Sequence, residues 1–127
     1  MNATDLLTAE LREKLRTNAQ MPGADHVPVV KFFNPAGAGT WLATELGDDD
    51  DTLYGVADLG FGCPEVGSFS LSELQSIRLP FGLRIERDIA FSTEHTLSAW
   101  AEAAFATGSL EAARRILAAV PVRSGGT

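Results

Sequence analysis

The sequence predicts an α+β fold, in which a small antiparallel sheet of about four strands is flanked by three or four helices. The predicted elements run in the order helix, strands, helix, strand, helices, without the regular alternation that produces a parallel sheet. The chain has 127 residues, 45% of them apolar and 21% charged. These values are typical of one globular domain that buries its own core, and we expect residues 1–127 to form a single domain.

The N-terminal segment 1–26 predicts a helix followed by a linker. The helix is expected over 5–19, with Thr4 as its N-cap and Asp5 in the first turn. Leucines recur at every fourth position and form one apolar stripe: Leu7, Leu11 and Leu15. Pro22 and Gly23 then break the helix.

Three strands are predicted next, over 27–33, 40–46 and 53–59, because these runs are rich in β-branched and aromatic residues. NPAGAG (34–39) supplies the first turn. GDDDD (47–51) supplies a charged turn between the second and third strands, so that these two form an antiparallel hairpin.

The segment GFGCPEVG (60–67) predicts a loop rather than a regular element. Gly60 and Gly62 are expected at positive φ, and Cys63 is expected to be extended because Pro64 follows it. A buried or inert thiol is the favoured interpretation of Cys63. Ser70 and Glu73 match a capping box, which predicts a short helix over about 71–78. LRIERDIAF (83–91) predicts a fourth strand.

Two helices close the fold. The first is predicted over 94–107, capped by Thr93 and ended by Gly108; the second over 110–119, capped by Ser109. Their apolar positions are expected to face the core: Leu97, Trp100, Ala101, Ala104, Phe105, Ala113, Ile116 and Leu117. Segment 27–120 would form the core of the domain, and 121–127 a flexible tail.

The net charge of −7 comes from the middle of the chain. Segment 34–82 contains eight acidic residues and one basic residue, whereas the flanking segments are balanced. Direct nucleic-acid binding is not expected, since it needs clustered Lys and Arg. A protein partner with a basic surface is the natural complement. The predicted contact residues are acidic: Glu45, Asp48, Asp49, Asp50, Asp51 and Asp58.

No catalytic, cofactor or metal site is predicted from the motifs. The glycine loop lacks both the P-loop lysine and the third glycine of the dinucleotide fingerprint. The run of four aspartates lacks the alternating ligands and central glycine of an EF-hand. Two alternatives remain open. One is a small cysteine- or carboxylate-dependent hydrolase in which Cys63, Asp58, Glu65 and His95 meet in one pocket. The other is that the protein is one subunit of an oligomer and that the function resides in the partner.

The single cysteine favours a reducing compartment. The first twenty residues carry charges throughout, and no apolar run is long enough to cross a bilayer. A cytoplasmic protein without membrane association is therefore expected.

Four motifs carry a resemblance to a known family. They are FNP followed by TWLATEL, DLGFGCPEVG, SLSEL and PFGLRIERD, within residues 27–105. Together they resemble a bacterial family of short acidic proteins whose function is unknown. The resemblance implies a gene on a plasmid or integrative element, near replication, partition and anti-restriction genes, and it implies no catalytic residue. We therefore expect a non-enzymatic accessory protein of a mobile element that acts by binding another protein. In one version of this hypothesis, the bound protein is a host defence nuclease, and binding interferes with it.

Overall fold

A computed structural model describes residues 5–121 and confirms the α+β class. The described residues contain four α-helices: α1 Ala9–Ala19, α2 Leu71–Ser76, α3 Leu97–Thr107 and α4 Leu110–Ala118. The same part of the chain contains five strands: β1 Val30–Phe33, β2 Thr40–Leu46, β3 Thr52–Asp58, β4 Glu65–Ser70 and β5 Glu86–Arg87. They form one antiparallel sheet in the order β4-β3-β2-β1-β5.

The sheet is the middle of three layers. Leucines of α1 and α2 pack on one face, together with Phe32 and Ala43 of the sheet. Helices α3 and α4 pack on the other face, against Leu42 and Val56. Both faces of β2 are therefore buried. Consecutive side chains of a strand point to opposite faces, which is why β2 contains the unbroken apolar run Trp41–Ala43.

A β-bulge in β2 changes which side chains reach each face. Ala43 pairs with Gly55 and Glu45 pairs with Tyr54, so Thr44 is the extra residue. The extra residue reverses the alternation beyond it. Leu46 consequently enters the core under α1, and Glu45 lies on the α3 face.

Gly55 allows the close approach that accompanies this bulge. A Cβ on Gly55 would lie 1.8 Å from the carbonyl oxygen of Leu42 and 2.9 Å from Cα of Ala43. Both atoms belong to the backbone of β2 and cannot move away separately. A side chain at this position would therefore force the central strands apart.

Several predicted boundaries agree with local capping rules. Ser70 Oγ accepts a hydrogen bond from the Glu73 amide and begins α2. Ser109 begins α4 in the same way. Gly108 ends α3 at φ 86°, the left-handed conformation typical of a helix C-terminus.

Other boundaries were predicted wrongly. Helix α1 is capped by Thr8. The expected cap, Thr4, lies outside the described residues, and so does most of the expected C-terminal tail, 121–127. Helix α3 is capped by Thr96 rather than Thr93. Both helices start three or four residues late because these later hydroxyls accept the first-turn amides, from Leu11 and Ala99.

The largest difference lies at the edges of the sheet. Residues 65–67 were predicted as loop and 69–71 as either a short strand or an entry into a helix, but residues 65–70 form β4 and pair with six of the seven residues of β3. The expected strand over 83–91 contributes only the two residues of β5, because pairing with β1 covers only Phe32 and Phe33. Within residues 5–121, no helix combines the length and apolar character needed to cross a membrane.

Candidate functional site

The acidic turn between β2 and β3 is held together by its own carboxylates. Asp49 accepts hydrogen bonds from Thr52 Oγ1 at 2.6 Å and from the amides of Thr52 and Asp51 at 2.9 Å each. These bonds, first of all those from Thr52, lower the pKa of Asp49 to about 2. Asp49 therefore closes the turn, which is a structural role.

The next two aspartates join the turn to the helices beside it. Asp50 Oδ1 pairs with Arg16 at 2.8 Å and with Arg12 at 2.9 Å, and the Arg16 hydrogen bond is the main factor that lowers the pKa of Asp50. Asp51 accepts from the Ser72 amide and from Ser70 Oγ, both at 2.8 Å. Among residues 5–121, only Asp48 of these four aspartates has no hydrogen-bonding or ionic partner, so it is the one available to another molecule.

Asp58 is not part of an exposed acidic surface. Its side chain is buried and accepts hydrogen bonds from the amides of Gly60 at 2.9 Å and Leu110 at 2.8 Å. Because Leu110 is the first residue of α4, Asp58 ties the end of β3 to the N-terminus of that helix. The prediction of Asp58 as a contact residue is corrected: burial removes it from a partner's reach.

The residues of the alternative hydrolase are divided among different environments. A buried or inert thiol was expected at Cys63; the thiol is exposed, so burial is wrong and inertness stays a prediction, and its Sγ lies 3.9 Å from the carbonyl oxygen of Phe61. His95 Nε2 lies 3.0 Å from the carbonyl oxygen of Leu117, in a cleft that Cys63, Asp58 and Glu65 do not line. Glu65 is exposed at the start of β4. The structure does not bring these side chains into one pocket.

The cleft beside His95 measures about 640 Å³ and lies between β1 and α4. Four of its charged side chains form two ion pairs. Lys31 Nζ lies 3.7 Å from Asp88, and Arg114 Nε lies 2.7 Å from Glu111. Lys31 and Arg114 are thus paired, whereas Glu94 also lines the cleft and has no ionic partner within residues 5–121.

A second depression lies between α3, the segment 22–26 and strands β2 to β4, and we call it the α3 groove. It measures about 750 Å³. Its apolar floor and wall consist of Tyr54, Val66, Leu97, Ala101 and Phe105. Three of these large side chains remain solvent-exposed, with relative exposures of 39% for Tyr54, 37% for Val66 and 56% for Phe105. Large apolar side chains gathered around one open depression are candidate contacts for another molecule.

The rim of the α3 groove carries three acidic side chains and His26. Glu45 and Glu102 both line it, and within residues 5–121 neither has a basic partner. Asp25 also lines it, but both oxygens of this carboxylate accept hydrogen bonds from Ser98. The β-bulge is what places Glu45 here, beside Tyr54. The groove therefore offers apolar contacts together with two unpaired carboxylates.

Glu45 was predicted from the sequence as a contact residue, but the groove was not predicted. Phe105 was expected in the core and is exposed instead, and the same holds for Ile116. Phe105 directly follows Ala104, which is fully buried, so the two differ by about 100° around the helix. Spacing alone does not distinguish Phe105 from a core position, because Trp100 and Ala101 are likewise adjacent and both are buried.

Comparison with known proteins gives one match. Residues 6–111 match the profile of a family described as "Protein of unknown function (DUF2958)". Searches of curated proteins and of solved structures found no match to this chain.

Proposed function

The chain belongs to the DUF2958 family of proteins of unknown function, and for it we propose a non-enzymatic role as an accessory protein that binds another protein. The partner carries a basic surface, and the acidic middle segment of this chain is the binding side. The mobile-element setting is part of the proposal and is supported by the resemblance of the sequence motifs. Interference with a host defence nuclease is the concrete version.

The α3 groove is the observation that carries the proposal. Protein interfaces obtain most of their binding energy from a few apolar or aromatic anchors in a central pocket, and Tyr54 and Phe105 provide such a surface. Unpaired rim charges select the partner and accelerate its approach. Glu45 and Glu102 select for Lys and Arg. Asp48 adds a free carboxylate at the turn between β2 and β3, outside the lining of the groove.

Site-specific photo-crosslinking tests the location of the interface. A photoreactive phenylalanine analogue replaces Phe105 in the full chain, which is expressed in cells that carry the mobile element. We expect a discrete adduct with one protein. The control carries the same analogue at Lys14, an exposed position on α1 at the opposite face of the sheet, and should give no such adduct. Equal adducts from both positions, or none from Phe105, would refute the proposed interface.

Charge variants test the chemistry of the partner. Glu45→Gln with Glu102→Gln should weaken binding of the crosslinked partner, about tenfold at low salt and less at high salt, because exposed charges are screened. Glu10→Gln with Glu13→Gln changes the net charge equally on α1 and should leave binding unchanged. A partner that binds all of these variants equally would not be selected by its basic surface.

The nuclease version has its own test. Cells that express the chain should accept unmodified plasmid DNA more readily than cells without it when the defence nuclease is present, and the Glu45→Gln, Glu102→Gln variant should lose this effect. Protection that is independent of the chain would eliminate this version and leave protein binding to be judged by crosslinking.

A further inference from the structure

We propose that the outer edge of β4 accepts an extended segment of the partner, which pairs with it as an additional strand of the sheet. This inference rests on the proposed function, since it specifies how the partner enters the α3 groove. Addition of a strand to a free sheet edge is an established mode of peptide recognition, in which main-chain hydrogen bonds supply affinity and side-chain pockets supply specificity.

The register of β4 identifies the backbone groups that are available. Thr52 pairs with Ser70, and the Leu71 amide donates to the carbonyl oxygen of Asp51 at 2.9 Å. The donor follows Ser70 and the acceptor precedes Thr52 in the chain. In an antiparallel ladder a bond at this place flanks two residues that are not hydrogen-bonded to each other, so Thr52 and Ser70 form a non-hydrogen-bonded pair. Hydrogen-bonded and non-hydrogen-bonded pairs alternate along an antiparallel ladder. The amide and carbonyl groups of Val66 and Ser68 therefore point away from β3, toward the outer edge.

These outward groups have no protein partner within residues 5–121. Strand β4 is the terminal strand of the sheet, and no hydrogen bond from another described element reaches the backbone of Val66 or Ser68. An unpaired row of this kind is a template for another strand.

The edge also lacks the usual protection against such pairing. Residues 65–70 read EVGSFS, with no proline and no lysine, and their pairing with β3 continues without a bulge. The opposite edge of the sheet is different, because β5 has only two residues. The longer regular edge is thus the one that borders the α3 groove.

Strand β4 and the groove form one continuous surface. Val66 contributes its side chain to the groove, opposite Val56 in the ladder, while its backbone points outward. An added strand would place every second side chain on the groove side, next to Val66. Apolar or β-branched residues fit those positions, with Phe105 as the neighbouring wall.

Charge decides between a foreign segment and a second copy of this chain. Two copies paired through β4 would bring two strands together that contain Glu65 and no basic residue, and each chain carries a net charge of −7. A foreign segment that places its apolar side chains on the groove side turns its alternate Lys or Arg side chains to the opposite face, where Glu65 lies beside Ala57 and attracts them. The occupant is therefore an extended peptide segment that alternates apolar and basic residues.

The test uses a displayed library of random short peptides, selected on the full chain. We expect selected sequences to alternate apolar residues with Lys or Arg. Binding of the synthetic peptides should fall about tenfold or more with Ser68→Pro, which removes an outward donor without removing a bond to β3. Ser68→Ala keeps that donor and should bind like the unmodified chain. Methylation of alternate peptide amides should produce a similar loss and does not alter the protein.

The outcomes separate this inference from the proposed function. Peptides that bind Ser68→Pro undiminished, but lose affinity with Glu45→Gln and Glu102→Gln, support the groove and overturn edge pairing. Selected peptides with apolar residues at three- and four-residue spacing, typical of a helix, also overturn it, as does recovery of no peptide. Concentration-dependent dimerisation that Ser68→Pro abolishes would overturn the foreign segment in favour of a second copy.

Discussion

The buried carboxylate of Asp58 gives the most quantitative prediction about the fold. Asp58→Ala removes the acceptor for the Gly60 and Leu110 amides, and the second of these hydrogen bonds is fully buried. Leaving a buried donor unsatisfied costs about 1–3 kcal/mol. Loss of a negative charge from the N-terminus of α4 adds about 0.3–1 kcal/mol. We therefore expect the free energy of unfolding to fall by roughly 3 kcal/mol.

The control is Asp48→Ala, which changes the net charge equally at an exposed site without described partners, and should shift stability by no more than about 0.5 kcal/mol. Urea unfolding followed by tryptophan fluorescence measures both variants, since each face of the sheet has its own tryptophan. The midpoint should change and the slope should not. A difference between the variants below about 1 kcal/mol would refute the assigned role of Asp58.

Three further predictions concern single positions. Gly55→Ala should destabilise the fold by more than about 3 kcal/mol in urea unfolding, because the new methyl group meets the backbone of β2. The control is Gly67→Ala, whose Cβ meets nothing within 4 Å and which should change stability by about 0.5 kcal/mol or less. Equal effects of the two substitutions would contradict this packing. The exposed Cys63 should react with a thiol reagent in the native state as fast as in the unfolded state, and strong native protection would contradict its placement. An NMR titration should place the pKa of Asp49 at about 2 rather than 3.8. Because this pKa is depressed in the folded state, the ionised Asp49 carboxylate stabilises the fold above pH 3.8, and this stabilisation is lost as the pH falls toward 2. Asp49→Asn should remove that pH dependence.

Local rules were sufficient for much of the fold. The hairpin of β2 and β3 follows from two β-rich runs around a charged turn, and β2 has the expected bounds. Ser70, Ser109 and Gly108 end or begin helices as their chemistry requires. Each of these features depends on residues close in sequence, which is why a single sequence reveals them.

The candidate site depends on contacts that local rules do not contain. The residues EVGSFS have weak strand propensity and become β4 through pairing with β3. The bulge that turns Glu45 toward the groove arises where β3 passes β2 at Gly55. Asp58 was predicted to lie on the surface because it belongs to the acidic segment 34–82. The following DLG motif, in which Asp58 accepts from the amide two residues later, was the local sign of a turn-forming aspartate.

Amide hydrogen exchange is the most direct test of the central claim that a partner binds the α3 groove along β4. It is measured by NMR on the full chain, free and with a saturating selected peptide. We predict that the outward amides of Val66 and Ser68 exchange rapidly in the free chain and become protected in the complex, while those of α1 do not change. Unchanged exchange at both residues, with protection elsewhere on the surface, would contradict the account.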